Sequence, residues 1–287
     1  MQPFFILKSL TMSEYKIVFS DVDGTLLNKN RELSSETIYQ IRRITEFGIP
    51  FVMVSARMPL GMLHLYREIP LDTPAICYNG ALILNSIENG TSKENIISSE
   101  TIDHAVASSI YELCNQFDLH FSLFSNNLWM VSKNDEWRLR EENNTRAKAT
   151  LCNNFETKIA ELKNDNNPIH KIMIMGNSLI IDGLYNRLVK DYSNAINVYR
   201  SKDTYIELTP ANVNKAIGCE KLLKSMKISP TNAIAFGDNF NDIEILELVG
   251  LGVAMDNSPD EVKAKAKRVT LSNIENGVAK TIGEIFK

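Results

Sequence analysis

Lys16-Ile17-Val18-Phe19-Ser20-Asp21-Val22-Asp23-Gly24-Thr25-Leu26-Leu27 is the stretch on which the architecture turns. Its first half is a short apolar run closed by a polar turn, the pattern of a buried strand. Asp21 and Asp23 stand two residues apart at the end of that strand. Neighbouring carboxylates repel unless a divalent cation or a shared proton intervenes. Magnesium suits such a place, because it takes oxygen ligands and combines a few protein carboxylates with waters and phosphate. Gly24 lets the chain turn tightly without a Cβ. Taken alone, the segment also fits a solvated Asp-x-Asp-Gly turn joining strand to loop.

Outward from this stretch the pattern alternates. Ser34 or Ser35 offers a helix N-cap, Ile38, Ile41, Ile44 and Phe47 recur at helical spacing, and Gly48 sits where a C-cap belongs. Residues 51–54 form a second apolar strand, ending at Ser55-Ala56-Arg57. A helix over about 59–67 follows, with Pro59 in its first turn. Residues 75–78 read as a third strand, and Asn79-Gly80 before the apolar run 81–84 signals a hairpin. Strand, helix, strand, helix, strand in this order predicts an α/β fold with a parallel sheet covered by helices. Asp21, Ser55 and Asn79 then lie past the C-terminal ends of successive strands, the edge where such sheets bind ligands.

From about residue 86 the texture becomes polar and mixed. A helix is expected over 103–117, strands at 121–124 and 128–131, and polar, helical sequence on to 167. A strand at 172–175, a helix over 179–189 and a strand at 196–199 complete an α+β module inserted into the first domain. The α/β pattern resumes with a strand at 205–208. It continues through a helix over 214–226, a strand at 233–236, a helix over 241–249 and a strand at 251–255. A helix after Pro259, a strand at 268–271 and a last helix end the chain.

A second acidic cluster, Gly237-Asp238-Asn239-Phe240-Asn241-Asp242, also follows an apolar strand. Asp238 and Asp242 can complete a magnesium shell, or the segment can be a helix N-terminus rich in capping residues. Lys215 opens a predicted helix, a position that opposes the helix dipole unless the ammonium faces an anion. A plain surface lysine is the alternative. Arg57 fits either a substrate contact or a loop tie.

The chain has 287 residues, enough for two domains, with 44% hydrophobic and 23% charged residues and a formal net charge of −4. That charge gives no sign of a broad basic face for long nucleic acid and leaves small anionic substrates open. The four cysteines show no CxxC pair, which points to reduced, mostly buried thiols and a cytoplasmic protein. The apolar stretch 4–7 is too short for a signal h-region, and no segment reaches the length of a membrane span. With the first strand beginning only at Lys16, Met12 is the expected native start. His64, His104, His120 and His170 show no ligand spacing, and the oligomeric state is not legible.

The set Asp21-Val-Asp23-Gly-Thr-Leu-Leu, Val54-Ser55-Ala56-Arg57, Asn79-Gly80-Ala81, Lys215 and Gly237-Asp238-Asn-Phe-Asn241-Asp242 resembles the haloacid dehalogenase superfamily. Gly252-Val-Ala-Met-Asp-Asn257 and Asn276-Gly-Val-Ala279 resemble its Cof-like branch. The likeness runs over nearly the whole chain after Lys16. Two departures stand out: Ser55-Ala56-Arg57 where Thr-Gly-Arg is usual, and Asn212 and Ala216 where glycines often flank the lysine. Serine keeps the hydroxyl that a phosphate contact needs.

The resemblance implies a Rossmann-like core, residues 12–85 and 201–287, with an inserted type IIB α+β cap, residues 86–200. It implies a phosphatase in which Asp21 attacks phosphorus and becomes an aspartyl-phosphate, while Asp23 protonates the leaving group and then activates water. Ser55, Lys215 and Asn241 would hold the phosphate oxygens. Arg57, Asn79 and Gly80 would touch substrate. Asp21, the Asp23 backbone carbonyl and Asp238 would hold magnesium, supported by Asp242. The cap would close over the site and supply further contacts, with Trp129, Trp137, Arg138 and Arg140 as candidates, although a tryptophan more often packs in a core. Sugar phosphates, nucleotides and phosphorylated cofactors are all open as substrates. A phosphomutase and a phosphoacceptor or regulatory protein remain as alternatives.

Overall fold

The computed structural model describes residues 14–287, so the expected start at Met12 lies outside the described residues. In chain order the elements are β1 (Ile17–Ser20), α1 (Ser35–Glu46), β2 (Phe51–Val54), α2 (Pro59–Glu68), β3 (Ala75–Cys77), β4 (Leu82–Leu84) and β5 (Ile96–Ser99). Next come α3 (His104–Gln116), β6 (His120–Ser125), β7 (Leu128–Val131), α4 (Glu136–Thr145), β8 (Thr150–Leu151), α5 (Phe155–Asn164), β9 (Lys171–Met175) and α6 (Ser178–Tyr192). The chain closes with β10 (Ile196–Lys202), β11 (Tyr205–Pro210), α7 (Lys215–Met226), β12 (Ala233–Gly237), α8 (Ile243–Leu248), β13 (Leu251–Ala254), α9 (Asp260–Lys263), β14 (Arg268–Val269) and α10 (Gly277–Ile285). The described residues divide into two compact units, 14–53 with 226–287, and 54–225.

The first unit is the parallel α/β layer that the alternating pattern predicts. Its strands run in the order β14-β13-β12-β1-β2, every neighbouring pair parallel. β1, β2 and β12 are buried along their whole length, which is why they read as solid apolar runs. Ser34, not Ser35, caps α1, its hydroxyl accepting the Thr37 N–H at 3.0 Å. Ile41 and Ile44 of α1 are buried, and α1 packs against α10. Phe47, expected on the same face, ends the helix and is 45% exposed.

The second unit holds two antiparallel arrangements. β3, β4 and β5 form one, with Cys77 opposite Leu82. The other is a six-stranded sheet in the order β10-β11-β9-β6-β7-β8. Its core joins Phe121, Phe155, Ile172, Ile174 and Leu208 to the apolar faces of α3, α5 and α6. Trp129 is in the interior, stacked on Phe124 with Nε1 donating to Ser122 Oγ at 3.2 Å. Trp137 meets the Tyr205 ring edge-on, and the Arg140 guanidinium lies over that ring at 5.5 Å. Arg138 pairs with Glu142 at 3.0 Å.

Three local differences from expectation have clear causes. The strand expected to resume the α/β pattern at 205–208 is β11, which follows β10 after a short turn and so pairs antiparallel with it and with β9 in the six-stranded sheet. β5 gives no strand signal because only Ile96 and Ile97 of its four residues are apolar and none of the four is fully buried. The strand expected over 75–78 stops at Cys77, because Tyr78 leaves the sheet with φ +52°.

Candidate active site

Each unit carries part of the expected chemistry. In the first, Asp21 extends the β1 ladder by donating its N–H to Phe236 O of β12 at 2.9 Å. The chain then folds back on itself. Val22 O accepts the N–H groups of Leu26 (3.1 Å) and Leu27 (3.0 Å), which closes the turn. Gly24 has φ +91°, and a Cβ there would lie 2.3 Å from Asp238 Oδ2. Backbone conformation and close approach therefore both require glycine. Thr25 Oγ1 donates to Asp238 Oδ1 at 2.7 Å and ties the two acidic turns together.

The second acidic turn is braced from within. The Asp242 carboxylate accepts the N–H groups of Asp238 (3.0 Å) and Asn239 (3.1 Å), so it holds the Asp238 main chain while itself almost wholly buried. A Cβ on Gly237 would lie 2.4 Å from Asp242 Cβ, so the two turn residues are in direct contact. Asn241 is half-buried on the same turn.

One carboxylate oxygen each from Asp21, Asp238 and Asp242 gather within 4.8 Å of one another. Asp21 and Asp242 are buried and Asp238 partly so. Three carboxylates held this close repel strongly unless a cation sits among them. An all-oxygen donor set suits a hard divalent ion such as magnesium. The place opened by the missing Cβ of Gly24 is occupied by the Asp238 carboxylate itself, so the turn is shaped to admit that carboxylate. The Asp23 side chain is outside this group, 46% exposed and 3.8 Å from Arg31.

Two asparagines without an expected role complete the turn. Asn257 Nδ2 donates to Gly24 O at 2.9 Å, and its Oδ1 accepts the Asn273 N–H at 3.0 Å. Asn273 Nδ2 donates to Leu27 O at 2.7 Å. Asn257 carried a signal, since it closes the run 252–257; Asn273 carried none.

The second unit brings together Ser55, Asn79 and Gly80, and sets Gly80 against the residue before Lys215. Ser55 N–H donates to Ile76 O at 2.9 Å, Ser55 O accepts the Asn79 N–H at 2.9 Å, and Arg57 O accepts the Tyr78 N–H at 3.1 Å. Ser55 and Asn79 are buried. Gly80 has φ +102°, and a Cβ on it would lie 2.4 Å from Asn214 O. Asn214 caps α7 by accepting the Ile217 N–H at 2.8 Å. Lys215, only 2% exposed, opens that helix. A buried ammonium at the positive end of a helix dipole is doubly unfavourable unless it serves an anion. Arg57 is 7% exposed and Nη1 donates to Gly61 O at 3.1 Å, so its guanidinium ties the loop to α2.

Residues 18–282 match the haloacid dehalogenase-like hydrolase family. The chain belongs to that family. A Haemophilus influenzae protein bearing a phosphatase name is 33% identical over 273 residues, covering 95% of this chain and 98% of that protein. The 5-amino-6-(5-phospho-D-ribitylamino)uracil phosphatase YcsE of Bacillus subtilis is 26% identical, covering 94% of this chain and 95% of that one. The crystal structure of a haloacid dehalogenase-like hydrolase from Bacteroides thetaiotaomicron superimposes with TM-score 0.86 at 28% identity, covering 95% of this chain and all of that one. The Cof-like assignment and the Rossmann-like core with an inserted module hold. The chain is a phosphoric monoester hydrolase of this family acting on small phosphorylated substrates. Among the described residues, no helix is long and apolar enough to cross a membrane.

Proposed function

We propose that this chain hydrolyses small phosphomonoesters with magnesium, through an aspartyl-phosphate on Asp21. The observation that carries this is the gathering of the Asp21, Asp238 and Asp242 oxygens at the ends of adjacent parallel strands. Asp21, the Asp23 backbone carbonyl and Asp238 would hold magnesium, with Asp242 in support. When bound, the ion supplies charge neutralisation between carboxylate nucleophile and phosphate.

The chain's own residues do the rest. The Asp21 carboxylate attacks phosphorus in line, which splits one difficult hydrolysis into two easier steps. Asp23, whose side chain is half-exposed, gives its proton to the leaving oxygen. It then takes a proton from the water that cleaves the acyl-phosphate. Ser55 and Lys215 hold the non-bridging oxygens, assisted by Asn241. Arg57, Asn79 and Gly80 serve the substrate side, Arg57 by fixing the Ser55 loop. The chemistry is assigned to residues 12–85 and 201–287, and substrate choice to the inserted residues 86–200. Sugar phosphates, nucleotides and phosphorylated cofactors form the substrate class, and the site of action is the cytoplasm.

The test is phosphate release from a panel of phosphomonoesters, with magnesium and with chelator, for wild type and Asp21→Asn. Magnesium-dependent turnover that falls by at least about a thousandfold in Asp21→Asn is expected, since the variant lacks the nucleophile. Turnover retained in Asp21→Asn removes Asp21 as nucleophile. A product isomer formed without free phosphate identifies a mutase instead.

A further inference from the structure

The turn at residues 78–80 is built where an ordinary chain resists it. Tyr78, Asn79 and Gly80 have φ of +52°, +54° and +102° in succession. Glycine adopts this region freely and asparagine tolerates it, but a bulky aromatic there is an outlier that its surroundings must hold.

The surroundings hold it from two directions. On the main-chain side, Tyr78 N–H donates to Arg57 O at 3.1 Å and Asn79 N–H to Ser55 O at 2.9 Å. On the side-chain side, the fully buried Tyr78 ring lies parallel to the His170 imidazole, centroids 5.3 Å apart and planes at 4°. Tyr78 Oη donates to Asn126 O at 2.7 Å, in the turn between β6 and β7. His170 Nδ1 accepts the Asn126 N–H at 3.1 Å, which leaves Nε2 as the protonated nitrogen facing Ser99 Oγ at 3.0 Å. Burial lowers the His170 pKa to about 3, so this neutral tautomer persists at working pH. The next residue, Lys171, donates to Ala56 O at 3.3 Å, a second tie from β9 to the Ser55 loop.

We propose that Tyr78 is a positioning residue for phosphate binding. Its ring and hydroxyl, gripped by His170 and Asn126, hold a left-handed backbone whose hydrogen bonds set Ser55 and Asn79. The proposal rests on the phosphatase reading only for the identity of the ligand. With the grip removed, Tyr78 relaxes toward negative φ, its N–H and that of Asn79 turn off their carbonyl partners, and the Ser55 loop loses its register.

The experiment is titration of inorganic phosphate into the full chain with magnesium, read by calorimetry beside the melting temperature. The variants are Tyr78→Phe, Tyr78→Leu and, as a control in the apolar core, Ile110→Val. Phe keeps the stack and loses the bond to Asn126; Leu loses both. The phosphate Kd should weaken about threefold to tenfold in Tyr78→Phe, the effect of roughly one hydrogen bond, and further in Tyr78→Leu. KM for any turned-over ester should rise in step, and Ile110→Val should lower the melting temperature without moving Kd. A Kd within about twofold of wild type in folded Tyr78→Phe overturns the proposal, whether or not Tyr78→Leu folds. So does an equal loss in Ile110→Val, or a wild type that binds no phosphate. The titration needs no turnover, so a wild type that binds phosphate yet releases none from any ester rejects the phosphatase reading and leaves the Tyr78 result standing.

Discussion

Replacing His170 by Gln should flatten the acid dependence of stability. His170 is fully buried, and burial takes its pKa from the ordinary 6.5 down to about 3. In the unfolded chain the imidazole is free to protonate near its ordinary value. The sign follows from proton counting. Between the two pKa values the unfolded state binds the proton and the native state does not, so stability falls as pH falls below about 6.5. Each pH unit in that interval costs about 1.4 kcal/mol, so the fall from pH 6.5 to 4.5 removes about 3 kcal/mol through this one group. Gln keeps an amide that can face Ser99 or Asn126 and does not titrate. Urea unfolding of wild type and His170→Gln at several pH values between 7 and 4.5 isolates the term, since carboxylates shared by both proteins cancel in the difference. The Gln variant should start less stable at pH 7, because the stack on Tyr78 is weakened, and the gap should narrow by about 3 kcal/mol at pH 4.5. Parallel curves would refute the reasoning, as would an NMR titration showing the native His170 ring protonating near pH 6.5.

Gly24→Ala should lower activity about ten- to a hundredfold, because a Cβ 2.3 Å from Asp238 Oδ2 on a φ of +91° carries roughly 1–3 kcal/mol of strain. Steady-state kinetics against magnesium concentration reads it, and unchanged kinetics would mean the turn relaxes freely. Asn257→Ala removes the bonds to Gly24 O and Asn273 N, so the turn over 22–27 should loosen by about 1–2 kcal/mol. The expected readout is a higher magnesium concentration for half-maximal activity, with a smaller effect on stability; a change in melting temperature alone would make Asn257 purely structural.

Much of this protein was legible because its decisive elements are extreme. Strands buried on both faces, such as β1 and β12, are almost wholly apolar, and the buried Ser20 that ends β1 donates its hydroxyl to Asp21 O at 2.7 Å. The residues at their ends are then the ones free to be polar, which singled out Asp21 and Asp238. α4 was harder, since only Glu142 of its ten residues is buried and it carries little apolar periodicity. Local pattern places Tyr78 at the end of a strand, whereas its φ of +52° is decided by what grips the side chain and not by the residue's own preference.

The α/β class, the family and the candidate carboxylates, serine and lysine follow from periodicity and motif spacing along the chain. Which of them meet is a property of the folded molecule. Thr25 and Asp238 are 213 residues apart in sequence and 2.7 Å apart in space, and Asn273 reaches back to Leu27. It also separated Asp23, half-exposed beside Arg31, from the buried carboxylates, and bound His170 to Tyr78 and Asn126. Such pairings depend on how sheets bring distant strand ends together, and no local pattern of residues encodes that distance.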